Sequence, residues 1–256
     1  MNVYLLLLLL VTYCCLAIDA EAAKQTKQKE KPQQYTVLFI GNSLTAKNNM
    51  PLQFERLSKA GNKNVKVWVS TIPAGTFQDH TQSPHTMGLL AARNYTHVVL
   101  QEQSFYLSYG LAYAQEVSWP WARILAAAAG NSKVVLYETM GYVNGISTDD
   151  SYEAMQQRII DGYEELRSNL GCETAHAGET WRLAREELTA MNRSSAKILY
   201  ADIVHPTPEG TFLVAAAMYA QIYAATPKPL SPVLSNGVSR QFSKWAQSWA
   251  QEEGPF

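Results

Sequence analysis

Four short groups interrupt apolar stretches of this chain, and each offers side-chain or backbone groups able to take part in chemistry. The run Thr36 to Ile40 breaks into Gly41-Asn42-Ser43-Leu44. A serine delivered into a tight turn is either a helix N-cap or a nucleophile awaiting a base. Gly75 follows Pro73 and is either an ordinary turn glycine or a point of close backbone approach. Gln101-Glu102-Gln103-Ser104 offers amide donors, or is a polar loop. Asp202-Ile203-Val204-His205-Pro206 places a carboxylate three residues before an imidazole, and the two can meet if the segment turns. The alternative for His205 is a satisfied surface histidine.

The elements around these groups follow from hydrophobic period. Short apolar or alternating runs predict strands at Thr36 to Ile40, Val65 to Val69, Thr96 to Gln101, Val134 to Tyr137 and Ile198 to Tyr200. Helical spacing is read at Met50 to Ala60, around His85 to Arg93, and at Tyr109 to Ala129, with a break expected at Pro120. It recurs at Tyr152 to Leu170, Glu179 to Met191 and Pro208 to Ala225. Strands of four to seven residues separated by helices predict an α/β fold: a three-layer α/β/α sandwich around a mainly parallel five-stranded sheet. Such sheets carry their sites at the carboxyl ends of the strands. Ser43, Gly75, Gln103 and His205 all fall just after a predicted strand, so one sheet edge gathers them.

Bulk properties narrow the partners. The 256 residues are 47% hydrophobic and 17% charged, enough for a sizeable core. A formal net charge of −1 gives no reason to expect nucleic acid as a partner. Val3 to Ile18 is almost wholly apolar, and Ala20-Glu21-Ala22 matches a small-x-small cleavage site, so residues 1–22 read as a secretory signal. The alternative is an uncleaved anchor, for which the run is short of the about 20 residues a span needs. Export implies a secreted or periplasmic protein with no stable membrane association after cleavage. Residues 23–34 read as a polar spacer, 35–227 as the folded domain, and 228–256 as a Pro-rich extension ending in a short helix with Phe242, Trp245 and Trp249. Cys14 and Cys15 lie in the signal, leaving Cys172 alone and without an intrachain disulfide. Asn94-Tyr95-Thr96 and Asn192-Arg193-Ser194 are glycosylation sequons. His80, His85, His97 and His176 lack ligand-like spacing, so neither a metal nor another cofactor is expected.

Gly41-Asn42-Ser43-Leu44 and Asp202-Ile203-Val204-His205-Pro206, in this order at the ends of an α/β domain, resemble the first and last blocks of the SGNH or GDSL-type hydrolases. The likeness covers about Tyr35 to Ala225. Asn42 stands where that family usually has Asp, and Gln101-Glu102-Gln103-Ser104 stands where it has Gly-x-Asn-Asp, as in a divergent branch with a Gln-rich third block. The resemblance implies a serine esterase with Ser43 as nucleophile, His205 as base and Asp202 as the group that orients the imidazole. It implies an oxyanion hole from the Ser43 and Gly75 backbone N–H groups and a glutamine amide, Gln103 in preference to Gln101.

The substrate is less legible. Tyr106, Tyr109, Tyr113, Trp119 and Trp121 are either a sugar-stacking wall or core, and Asn42, Tyr106 and Tyr109 are the candidate substrate contacts. An O-acyl carbohydrate esterase, in particular a deacetylase, is the first expectation. A lipid esterase and a catalytically silent domain that binds glycans or a protein are the alternatives.

Overall fold

The computed structural model of the protein describes residues 33–228 and 238–252. The expected signal segment, with Cys14 and Cys15, and nearly all of the expected spacer lie outside the described residues.

Five strands form one sheet: β1 (Gln34–Gly41), β2 (Asn64–Thr71), β3 (His97–Leu100), β4 (Lys133–Tyr137) and β5 (Glu173–Ala175). Their order is β2-β1-β3-β4-β5, and every neighbouring pair is parallel. β1 lies inside the sheet, and Val37, Leu38, Phe39 and Ile40 are fully buried, so this run has no polar face to offer. Alternation still divides it. Val37 and Phe39 pack into a core built from the helices Met50–Ala60, Ala177–Ala190, Pro208–Tyr223 and Arg240–Glu252. Leu38 and Ile40 pack into a second core with Phe77, Leu125, Met155, Ile159 and Tyr163. The result is the expected three-layer α/β/α sandwich.

Register sets the working edge. Ile40 pairs with Ser70 of β2 and with Leu100 of β3. The chain therefore leaves these three strands at one level, carrying Asn42-Ser43, the Ile72–Gly75 turn and Gln101–Gln103 to adjacent positions.

The fifth strand differs from expectation. Ile198 to Tyr200 is not a strand; Ser194 accepts from the Lys197 N–H and caps a short helix, Ser195–Leu199. The fifth strand is Glu173–Ala175, a three-residue edge strand without the apolar or alternating run that marks the other four. The expected helix from Tyr109 to Ala129 is also broken. It resolves into Leu111–Val117 and Trp119–Ala128, parted at Ser118, with Pro120 in the first turn of the second piece; a further short helix, Ser104–Ser108, precedes them and is separated from Leu111–Val117 at Gly110 (φ 101°).

Pro208–Tyr223 is apolar on nearly every face and is buried accordingly. Thr207 caps it by accepting from the Gly210 N–H at 3.1 Å. A Cβ on Gly210 would come within 2.4 Å of both the Leu199 carbonyl and the Trp181 ring, so glycine is required there. The C-terminal helix Arg240–Glu252 adds Phe242, Ala246 and the fully buried Trp249 to the same core. Trp249→Ala is expected to destabilise the protein by about 3–5 kcal/mol, measured by urea unfolding; a loss under about 1 kcal/mol would mean that this helix is not part of the cooperative core.

Candidate active site

The turn after β1 is held from several directions. Asn42, only 1% exposed, is the N-cap of the short helix Ser43–Ala46: its Oδ1 accepts from the Leu44 N–H at 3.0 Å. The capping role read as an alternative for Ser43 therefore belongs to its neighbour, which leaves the Ser43 hydroxyl to other partners. The Asn42 Nδ2 donates to the Gly75 carbonyl at 3.0 Å, and its backbone N–H donates to Gln101 Oε1 at 2.8 Å. Gln101 Oε1 also accepts from Thr45 Oγ1 at 2.9 Å, and Gln101 Nε2 donates to the Glu102 carbonyl at 2.6 Å. The Gly41 carbonyl accepts from Ile72 N and from His80 Nε2, at 3.0 and 2.8 Å. Burial lowers the His80 pKa, and a carbonyl partner requires the proton on Nε2.

The second half of the site is the loop Ala201–His205. An antiparallel bridge between Tyr200 and Pro206 closes it, and Ala201 N donates to the His205 carbonyl at 2.8 Å. Asp202 Oδ1 accepts from the backbone N–H groups of Val204 and His205 at 2.8 and 2.7 Å. Its Oδ2 lies 2.9 Å from His205 Nδ1. His205 Nε2 lies 2.9 Å from Ser43 Oγ. With the carboxylate accepting from Nδ1–H, Nε2 is left as the acceptor for the serine proton. Burial opposes ionisation of Asp202, but the two backbone donors and the His205 ring together outweigh it and bring the carboxyl down to about 2. Asp202 thus stays charged through the working range. Its stabilising contribution is present above the unfolded value of 3.8 and is lost as pH falls through about 2.

Asn48 had no role in the sequence reading. In the left-handed region at φ 50°, it donates through Nδ2 to the Pro206 carbonyl at 3.0 Å and to Thr211 Oγ1 at 2.9 Å. It joins the segment after Ser43 to the segment after His205. Only a positive φ just past a short helix hinted at it, through the Asn48-Asn49 pair.

Three expectations for side roles are corrected. Gly75 is not a free backbone donor: its N–H is engaged with the Ile72 carbonyl at 2.8 Å, closing a turn in which Ala74 has φ 54°. Glycine is needed there because a Cβ would come within 2.7 Å of the Ile72 side chain. Asn42 is not a substrate contact, since both ends of its buried amide are engaged in the turn. Gln101 is fully buried with its amide N–H directed to Glu102, so it fastens the site and does not line it. Gln103 differs: it is half-buried, and no partner is found for its side chain among the described residues. Ser43 opens its helix, and the first N–H groups of a helix have no intrahelical acceptor.

Of the aromatic residues, Trp119 is core at 4% exposure. Tyr109 and Tyr113 are exposed, their rings 5.3 Å apart, and Tyr106 lies 5.9 Å from Tyr113. Burial pushes the half-buried Cys172 thiol up to about 11, against a role as thiolate nucleophile. Among the described residues no group of three or more His, Cys, Asp and Glu side chains is placed to hold a metal. Asn94 and Asn192 are both exposed.

No protein-family model matches the chain, and no curated protein sequence matches it. Solved structures do. The chain is similar to a DUF4886 family protein from Bacteroides uniformis ATCC 8492, at 17% identity and a TM-score of 0.71, over 86% of this chain and 94% of that one. It is similar to a lipase/acylhydrolase from Enterococcus faecalis, at 15% identity and a TM-score of 0.58, over 77% and 99% of the two chains. An acetyl xylan esterase from Geobacillus stearothermophilus matches at 16% identity and a TM-score of 0.54, over 72% and 92%. At these identities the likeness is one of fold, and a putative SGNH hydrolase from Slackia heliotrinireducens shares that fold at 25% identity and a TM-score of 0.55, over 73% and 98% of the two chains.

The Gln101 clamp generates a prediction. Gln101→Met keeps the volume but leaves the Asn42 N–H and the Thr45 hydroxyl without their acceptor. It is expected to cost about 1–3 kcal/mol for each donor left unsatisfied, read by denaturant unfolding; unchanged stability would mean that the clamp contributes nothing.

Proposed function

We propose that this chain is an exported serine esterase that removes acyl groups, in particular acetyl groups, from O-acylated carbohydrate. The observation that carries the reading is the continuous line Ser43 Oγ, His205 Nε2, His205 Nδ1, Asp202 Oδ2, with both contacts at 2.9 Å. In the first step His205 Nε2 takes the Ser43 proton as Oγ attacks the ester carbonyl. The imidazolium that forms is stabilised by Asp202, which is already ionised. The oxyanion is met by the Ser43 N–H and the Gln103 side-chain amide; a preorganised donor of this kind is worth about 3–4 kcal/mol. His205 returns the proton to the leaving alcohol, and an acyl group remains on Ser43. Water, deprotonated by His205, then releases the acid.

Carbohydrate as the alcohol is supported by the exposed Tyr109 and Tyr113 rings, surfaces on which a pyranose can stack. The similar fold of an acetyl xylan esterase supports it by analogy. Export is supported by the apolar 3–18 segment with its small-residue site. One observation favours a silent binding domain instead: with the Gly75 N–H engaged, the oxyanion has fewer backbone donors.

A fluorophosphonate probe tests the reading. The purified protein is expected to gain one adduct by intact mass and Ser43→Ala none. No adduct on either, with no release of acetate from acetylated xylo-oligosaccharides, would sink the esterase reading in favour of the binding domain. His205→Gln is also expected to abolish hydrolysis, because the ring nitrogen that takes the Ser43 proton is lost; activity retained in the variant would remove His205 from that role.

A further inference from the structure

Glu102 is fully buried two residues past the end of β3, and the mechanism above gives it no task. Its polar atoms are nonetheless all engaged. Oε1 accepts from the Gln103 N–H at 2.7 Å and from the Phe77 N–H at 3.1 Å. Oε2 accepts from Ser118 Oγ at 2.5 Å. The Glu102 N–H donates to Tyr163 Oη at 3.2 Å, and its carbonyl accepts from Gln101 Nε2. Among the described residues no Lys or Arg pairs with it, so the carboxylate is compensated by neutral donors alone. One oxygen thereby binds the loop after β2 to the loop after β3. The other reaches the junction of the Leu111–Val117 helix, which carries Tyr113, with the Trp119–Ala128 helix.

The residue type is informative. Three donors converge on the group, and a carboxylate can accept from all of them, whereas a glutamine amide presents one acceptor oxygen and an NH₂ that must donate. A hydrophobic residue would leave two backbone N–H groups buried and unmet.

We propose that Glu102 is a positioning residue for the reaction: its carboxylate, bonded to the Gln103 and Phe77 N–H groups, holds the Gln103 amide where it meets the oxyanion on Ser43. The proposal rests on the Ser43 and Gln103 roles proposed above. It gives the Gln-rich third block a division of labour, with Gln101 fastening the Ser43 turn, Glu102 setting the loop and Gln103 acting as donor.

The protonation state gives the role a signature. Burial first, and the Asp79 carboxylate in smaller measure, push the Glu102 carboxyl up to about 7, against the pull of Ser118, Gln103 and Phe77. The other titratable groups facing it are the Tyr106 and Tyr163 hydroxyls, both with raised pKa and so neutral in this range. When Glu102 takes up a proton, the O–H donates to Ser118 and Oε1 becomes a neutral carbonyl, a weaker acceptor for the two N–H groups. Glu102→Gln reproduces that arrangement at every pH.

The experiment compares kcat and KM of wild type and Glu102→Gln on p-nitrophenyl acetate from about pH 5 to about pH 9. Above about pH 7 the variant is expected to lose about tenfold in kcat, part of the value of an oxyanion donor, with KM within about twofold. As pH falls below about 7 the two rates should converge, because the wild type becomes protonated at Glu102. Any pH dependence that the two proteins share cancels in the ratio. Ser118→Ala removes a donor to the charged form and should move the convergence to higher pH; it also serves if Glu102→Gln does not fold. A ratio constant across the range, or a kcat within about twofold of wild type, would overturn the proposal. If the phosphonate adduct forms on Ser43 while the Glu102 and Ser118 variants match wild type, only this inference fails. If Ser43→Ala hydrolyses ester as fast as wild type, the esterase reading fails and this inference with it.

Discussion

The carbonyl oxygen of the Gln101 side chain, accepting from both Asn42 N and Thr45 Oγ1, is the contact on which the site depends. A strand that leaves a parallel sheet ends in backbone groups its neighbours no longer pair, and buried groups of that kind must find partners. β1 ends inside the sheet, so water cannot supply them. A side chain just past the end of the neighbouring strand β3 does so, and in doing so fixes the turn that carries Ser43. The fit is close: a Cβ on Gly41 would come within 2.5 Å of Gln101 Oε1 and 2.4 Å of Thr45 Oγ1.

The same problem recurs along the sheet edge, and a buried acid answers it twice. Glu102 follows β3 and accepts N–H groups from two loops. Glu138 follows β4 directly, is 1% exposed, and accepts from the Glu179 N–H at 2.8 Å while meeting His176 Nδ1 at 3.0 Å. Burial raises the pKa of both groups, with the bonds to their partners opposing it. Each carboxylate accepts several donors at once, so a single side chain can set the course of a whole loop.

The His205 loop is anchored by other means. Its far end is fastened to the buried helix Pro208–Tyr223 through the Thr207 cap, and its near end by the Thr207 N–H to the Leu199 carbonyl at 2.9 Å. Asn48 then ties this loop to the Ser43 side of the site. A contact between residues 162 positions apart, Ser43 and His205, is therefore supported by a second of nearly the same span, 158, between Asn48 and Pro206. The two halves of the site are held in register independently of the Ser43–His205 contact itself.

Much of this was legible from the chain alone. Val37 to Ile40 could only be a buried strand, because the run is apolar, β-prone and too short for a helix. The likeness of the first and last blocks to SGNH hydrolases pointed to Ser43, Asp202 and His205, which converge in the fold. Other features were not legible. Glu173–Ala175 became a strand because β4 offered it an edge, while Ile198 and Leu199, apolar and strand-like in isolation, were taken up by a Ser194-capped helix. Gly75, Asn42 and Gln101 carried the right chemistry for the site, but their polar atoms went to Ile72, Leu44, Gly75, Thr45 and Glu102. Local sequence determined which residues could do chemistry and which elements would carry them, since period and residue type act over a few neighbours. Tertiary structure decided which of those polar groups stayed free, because partners such as Gln101 for the Asn42 N–H and the Thr45 hydroxyl lie more than fifty residues away and are assigned only when they arrive beside them.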